Sequence, residues 1–176
     1  MSDAQHGLAP AAWLVAHRGL LPASGRALDV ACGRGRYALW LAQNGFETTA
    51  IDRDPEVVAA LDARARAEEL PLTATAMDLE SGAATLGEAA FDVVVVVHYL
   101  HRPLFPALLA ALRPGGVLVY ETFTRAQAAR GRPTNPAFLL APGELRRLVA
   151  GLEILDEREG DFEGRMVASV VAMRQA

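Results

Sequence analysis

The stretch Phe91–Val97, FDVVVVV, carries five consecutive valines and a single charged residue. Successive strand residues point to opposite faces of a sheet, and β-branched side chains favour extended backbone, so a strand formed here is apolar on both faces. Such a strand has to be covered on both sides, which is the situation of a central strand in a parallel sheet. Parallel neighbours in turn need long crossover connections, usually helices.

The rest of the chain supplies them. RALDVA (26–31) reads as a buried strand and YALWLAQNG as a helix that stops at Gly45. ETTAID is a strand ending at Asp52; a helix follows, with Asp54 as N-cap, Pro55 at its first position and Glu56 in its first turn. LTATAMD ends a third strand at Asp78. After the valine strand, PLFPALLAALRPGG predicts a helix stopped by Pro114-Gly115-Gly116, then VLVYETF a fifth strand and APGELRRLVAG a short helix. LEILDERE and RMVASVVAM flank GDFEG as a closing hairpin. The pattern predicts an α/β fold: a doubly wound, mostly parallel seven-stranded sheet with a C-terminal antiparallel hairpin, one domain over 1–176, and an extra helix over 8–21.

Composition narrows the function. The longest apolar runs fall short of the roughly 20 residues that span a bilayer, and MSDAQHGLAP has neither the basic start nor the apolar core of an export signal, so a cytoplasmic protein with no membrane partner is expected. A net charge of −4 argues against a surface built for nucleic acid, which needs clustered cations. All 17 basic residues are arginine. The single cysteine, Cys32, excludes an internal disulfide and a multi-thiolate metal site.

In open parallel sheets, ligands bind beyond the carboxyl ends of the strands. Strand one ends in LDVACGRGRY, where Gly33 and Gly35 allow a tight turn and close backbone approach at a helix N-terminus. Alone, such a turn is either structural or a ligand cradle. Asp52 closes strand two, where a carboxylate can accept from both hydroxyls of a ribose, and Asp78 with Leu79 closes strand three, where an adenine amine and ring can be met. A nicotinamide dehydrogenase would show G-x-G-x-x-G at the first turn, whereas this chain has Asp29 two residues before Ala31 and the run A-C-G-R-G-R.

The valine strand runs into His98, Tyr99, His101 and Arg102. Two histidines three apart with no third Cys or His nearby are a poor metal set, so no metal is expected. Arg102 before Pro103 has two readings, an anion-binding side chain or a cap on loop carbonyls. The segment 124–141, TRAQAARGRPTNPAFLLA, is too long and irregular for a simple connection and leaves strand five at the same edge, so it is expected to be an active-site loop.

LDVACGRGRYALWLA resembles the first motif of class I S-adenosylmethionine-dependent methyltransferases, D/E-x-G-x-G-x-G, with Ala31 in place of the first glycine. That substitution is harmless if φ at Ala31 is negative. The resemblance extends through LRPGGVLVYETF, and HYLHRPLFPALLAALRPGGVLVYETF with GRPTNPAFLLAPGELRRL is similar to relatives of the bacterial tellurite-resistance methyltransferase. It implies S-adenosylmethionine as cofactor, held by Asp29, Ala31, Gly33, Gly35, Asp52, Arg53, Asp78 and Leu79. It implies His98, Tyr99 and Arg102 at the reaction centre, and His101, Arg130 and Arg132 toward a small anionic or oxyanion-like substrate of the tellurite or selenite type. A non-catalytic S-adenosylmethionine-binding module and a methyltransferase for RNA or protein are the alternatives.

Overall fold

The structure, a computed structural model, describes residues 11–82 and 84–175. Seven strands form one sheet: β1 (Gly25–Val30), β2 (Phe46–Asp52), β3 (Leu72–Ala76), β4 (Phe91–Val97), β5 (Leu112–Phe123), β6 (Glu153–Phe162) and β7 (Arg165–Met173). Their order is β3-β2-β1-β4-β5-β7-β6. The first five are mutually parallel, and β7 pairs antiparallel with both β5 and β6. This is the predicted sheet with its closing hairpin.

The valine strand sits at its centre and divides its side chains as expected. Val94 and Val96 pack with Leu28, Val30, Leu118 and Tyr120 beneath Phe105 and Leu108 of α4 (Phe105–Ala111) and Leu145 of α5 (Glu144–Leu148). Val93, Val95 and Val97 pack on the other face with Trp13 of α1 (Ala12–Ala16) and with Tyr37 and Leu41 of α2 (Arg36–Gln43). Fully burying a valine contributes roughly 1.5–3 kcal/mol, so this segment anchors both layers.

The helix α3 (Pro55–Ala67) starts as its sequence directs: the Asp54 carboxylate accepts from the N–H groups of Glu56 and Val57, with Pro55 at the first helical position. Two helices are shorter than the sequence suggests. Of the helix expected over 8–21, residues 8–10 lie outside the described part, and α1 ends at Ala16, followed by a 3-10 turn at Arg18–Leu20. α4 ends at Ala111 because Leu112 already pairs with Phe91 of β4, while Gly115 N–H donates to the Arg174 carbonyl at 2.7 Å.

Strand order reverses between β1 and β4, the topological switch point where doubly wound sheets bind ligands. The residues that follow these two strands, Ala31 and His98, both have left-handed backbone, with φ of 55° and 58°. The chain thus turns sharply away from the sheet at both places and leaves a crevice between them.

Candidate active site

A cleft of about 810 Å³ opens at this edge. One bank comes from the ends of β1, β2 and β3: Ala31, Asp52, Arg53 and the run Met77–Glu80. The other comes from β4, β5 and the long loop: His98, Thr122, Phe123, Arg132 to Asn135, and Phe138. The loop expected over 124–141 therefore does reach the cleft; it is built of two 3-10 turns, Arg125–Ala129 and Pro136–Phe138.

On the first bank the β1–α2 turn and Asp52 are tied together. Asp52 Oδ2 accepts the Gly33 N–H at 2.8 Å, and Oδ1 accepts the Asp54 N–H at 3.0 Å. Gly33 has φ +51°, and a Cβ there would meet nothing within 4 Å, so its outer side is open. Gly35 differs: with φ +74°, an added Cβ would overlap the Leu61 side chain of α3. Its glycine is needed for packing as well as for the turn; of the turn residues Ala31, Gly33 and Gly35, Ala31 is the one that lines the cleft.

Two expectations at this turn need correction. Ala31 does not have the negative φ that would make its methyl harmless; at φ 55° it carries a left-handed strain of roughly 1–2 kcal/mol. Asp29 is not at the cleft surface. It is buried, with Oδ2 accepting the Ala38 N–H of α2 at 2.9 Å, and Oδ1 has no hydrogen-bond partner among the described residues. Burial pushes its pKa up to about 8, with the Ala38 N–H opposing. Asp29 supports the turn from below.

Asp78 Oδ1 accepts the Glu80 N–H at 2.9 Å, which shapes the loop after β3 and leaves Leu79 buried beside it. Tyr99 lines the cleft between the banks, its hydroxyl 3.4 Å from Glu80 Oε1. Burial, with Glu80 next, raises the Tyr99 phenol well above its ordinary value, so it stays protonated and acts as a donor. Tyr120 lies in the core and donates to the Tyr99 carbonyl at 2.6 Å.

On the second bank the His98 N–H donates to the Glu121 carbonyl at 2.8 Å, and the imidazole stacks on Phe123 with centroids 4.6 Å apart. His98 Nε2 is buried without a partner among the described residues. Burial lowers its pKa to about 4, with Glu121 opposing, so the ring is neutral at pH 7.

Arg102 is placed as a loop anchor and does not line the cleft. Its guanidinium donates to Glu144, to the Ala137 carbonyl at 2.9 Å and to the Leu139 carbonyl at 3.0 Å. The cap reading of Arg102 is the one the geometry supports. Arg130 pairs with Asp161 across the hairpin, and His101 also lies off the cleft; of the three substrate candidates only Arg132 lines it.

Sequence reasoning missed several residues. Phe138 and Asn135 line the cleft, but nothing in their local pattern distinguishes them from surface loop residues. Glu121 and Thr122 are not among those missed, since strand five carries both to this edge: Thr122 lines the cleft, whereas Glu121, beside His98, is buried and held by Ser169 Oγ at 2.6 Å and Arg158 Nη2 at 3.0 Å, partners from β6 and β7 that only the hairpin brings close. Among the described residues no three His, Cys, Asp or Glu side chains gather to hold a metal ion, and no helix is long and apolar enough to cross a membrane.

Comparison with known proteins agrees with this fold. Residues 27–116, from β1 to the start of β5, match the family described as "Methyltransferase domain". Hemagglutinin 1 of Eikenella corrodens is 30% identical over 81% of this chain and 51% of its own length. Ubiquinone biosynthesis O-methyltransferase of Xanthomonas axonopodis pv. citri is 33% identical over 70% of this chain and 54% of its own. The chain thus spans about half the length of the curated relatives it matches. The crystal structure of TehB from Haemophilus influenzae superposes with a TM-score of 0.74 at 20% identity, covering 92% of this chain and 61% of that one, so the fold is shared. The match across β1 to β5, which contains the turn at Gly33 and the carboxylates at Asp52 and Asp78, places the chain in the methyltransferase domain family.

Proposed function

We propose that the protein transfers a methyl group from S-adenosylmethionine to a small acceptor that carries an anionic group, working in the cytoplasm. The single observation that carries this reading is the Asp52–Gly33 hydrogen bond at the switch point. It sets a carboxylate beside an open glycine turn, and two lone-pair sites of that carboxylate remain after Gly33 and Asp54 are served. Those sites suit a ribose diol. Asp78, Leu79 and Met77 offer an acceptor and an apolar wall for adenine, and Arg53 lies at the rim.

S-adenosylmethionine, when bound, supplies a methyl on a sulfonium sulfur, and its transfer to an acceptor lone pair leaves the neutral thioether S-adenosylhomocysteine. The chain's own part is positioning, which in favourable cases lowers a barrier by roughly 7–11 kcal/mol. The loop lines one side of the cleft, Tyr99 offers a hydrogen bond, and the neutral His98 imidazole can take a proton from the acceptor. Arg132 meets the anionic group. Tellurite and selenite, the acceptors suggested by the tellurite-resistance resemblance, belong to this anionic class.

The test is incubation with radiolabelled S-adenosylmethionine and a panel of selenite, tellurite, thiols and small carboxylic acids. Label is expected in a small-molecule product. Binding of S-adenosylhomocysteine with no transfer to any panel member would make the protein a binding module instead.

A further inference from the structure

Resting on that reading, we infer that the acceptor is an aromatic acid, a flat ring bearing a carboxylate and a nucleophilic hydroxyl. Four observations lead there.

The charges of the cleft are segregated. Its carboxylates, Asp52, Asp78 and Glu80, all stand on the β1–β3 bank, with Arg53 among them. Among the described lining residues of the opposite bank, Arg132 is the single cation and there is no carboxylate. Nearby Glu121 is offset by Arg158 and Ser169. One unopposed guanidinium suits one carboxylate.

An inorganic oxyanion would need more. Taking a compact, strongly hydrated oxyanion out of water is costly unless several charge-assisted donors surround it. The other arginines near the loop are unable to form such a cage: Arg102 is committed to Glu144 and two carbonyls, Arg130 to Asp161, and Arg125 lines a separate outer groove.

Beside Thr122, Thr134 and Asn135, the remaining surface carries aromatic and apolar side chains. His98 and Phe123 stack with an interplanar angle of 18° and together make an aromatic wall. Pro133 and Phe138 line the same bank, and Phe138 is 50% exposed, an apolar face that a bound ring would cover. At about 810 Å³ the cleft lies in the upper part of the roughly 300–1,000 Å³ range of drug-sized ligand sites, so it has room for an organic acceptor beside a nucleoside.

Lastly, a hydroxyl is the acceptor that uses the neutral imidazole of His98. A thiol or an oxyanion ionises readily without help, whereas a hydroxyl must lose its proton as it reacts. The hydroxyl oxygen forms the new bond to the methyl carbon as the carbon–sulfur bond breaks. Its proton passes to His98, and the sulfur keeps the electron pair.

Calorimetry tests this without requiring turnover. The protein, alone and saturated with S-adenosylhomocysteine, is titrated with 4-hydroxybenzoate, 3,4-dihydroxybenzoate, catechol, selenite and tellurite. The two acids are expected to bind and the two oxyanions not to. R132Q should weaken the acids about tenfold or more while leaving catechol unchanged. The inference is overturned if neither acid binds in either state, if an oxyanion binds more tightly than both acids, or if R132Q leaves acid affinity unaltered. Failure of S-adenosylhomocysteine itself to bind strikes the proposed function, and the titrations of the protein alone still read acid binding.

Discussion

Arg102 and Glu144, 42 residues apart in sequence, are joined by two hydrogen bonds, Nε to Oε1 at 2.6 Å and Nη2 to Oε2 at 3.1 Å. The pair ties the end of β4 to the start of α5, and Glu144 Oε2 also accepts the Ala141 N–H at 2.7 Å. With the bonds from Arg102 to the Ala137 and Leu139 carbonyls, this closes the second half of the cleft loop into a fixed frame. Arg102→Ala should therefore cost about 1–3 kcal/mol by urea unfolding, toward the lower end because the guanidinium is partly exposed. It should raise the acceptor KM through Phe138 and Asn135 and leave S-adenosylhomocysteine affinity, set by the other bank, within error. Weakened S-adenosylhomocysteine binding with unaltered acceptor KM would contradict the anchor role.

Gly33 and Gly35 sit two residues apart but respond differently to a methyl group. Gly35→Ala should destabilise the fold by about 2 kcal/mol or more, combining left-handed strain with overlap of Leu61. The double variant with Leu61→Ala should show a smaller added loss than Leu61→Ala and Gly35→Ala summed. Gly33→Ala bears only the strain, because its outer side is open; its larger effect should be on cofactor binding. Urea midpoints and calorimetry separate the two.

Asp29 and His98 shift stability with pH in opposite senses. His98 is held at about 4 against an ordinary 6.5, so the unfolded chain binds its proton first, and the stability from its neutral burial is lost as pH falls from about 6.5 toward 4. His98→Gln should flatten that decline. Asp29 is raised from 3.8 to about 8, so the folded chain holds the proton, and stability is lost as pH rises from about 4 to 8. Asp29→Asn, which keeps an oxygen for the Ala38 N–H, should make the protein more stable than the parent at pH 8 and little different near pH 3.5. A parent and variant that track each other across the range would contradict the buried, protonated carboxyl.

If His98 receives the acceptor's proton, turnover requires its neutral form. The acid limb of the kcat profile should then fall near pH 4, with no inflection near 6.5, and His98→Ala should cut kcat while S-adenosylhomocysteine affinity holds. An inflection near 6.5 that survives in the variant would assign the titration to another group.

Sheet, strand ends and the β1–β3 bank of the cleft were legible because they follow local rules. Valines at 93–97 demand a two-sided cover, Asp54-Pro55 starts a helix, and Asp52 and Asp78 close apolar strands. Ala31 was misread because alanine does not itself mark left-handed backbone; the trace was the glycine that the resembled motif has at this position, where β1 turns at the switch point. Arg102 looked available for an anion because its partners lie more than 30 residues downstream. The same distance hid Ser169 and Arg158 from Glu121 and Asp161 from Arg130. Long-range ion pairs decide which arginines are left for a ligand, and pairing across that distance is not written in spacing.

The central claim is that the crevice between Ala31 and His98 binds an adenosyl sulfur cofactor through Asp52. Isothermal calorimetry of S-adenosylhomocysteine against NAD, on the parent and on Asp52→Ala, tests it most directly. The account predicts saturable binding of S-adenosylhomocysteine with none of NAD, and about tenfold or greater weakening in the variant, from loss of charged hydrogen bonds to a ribose. Binding of NAD in its place, or affinity for S-adenosylhomocysteine that is the same in parent and variant, would contradict it.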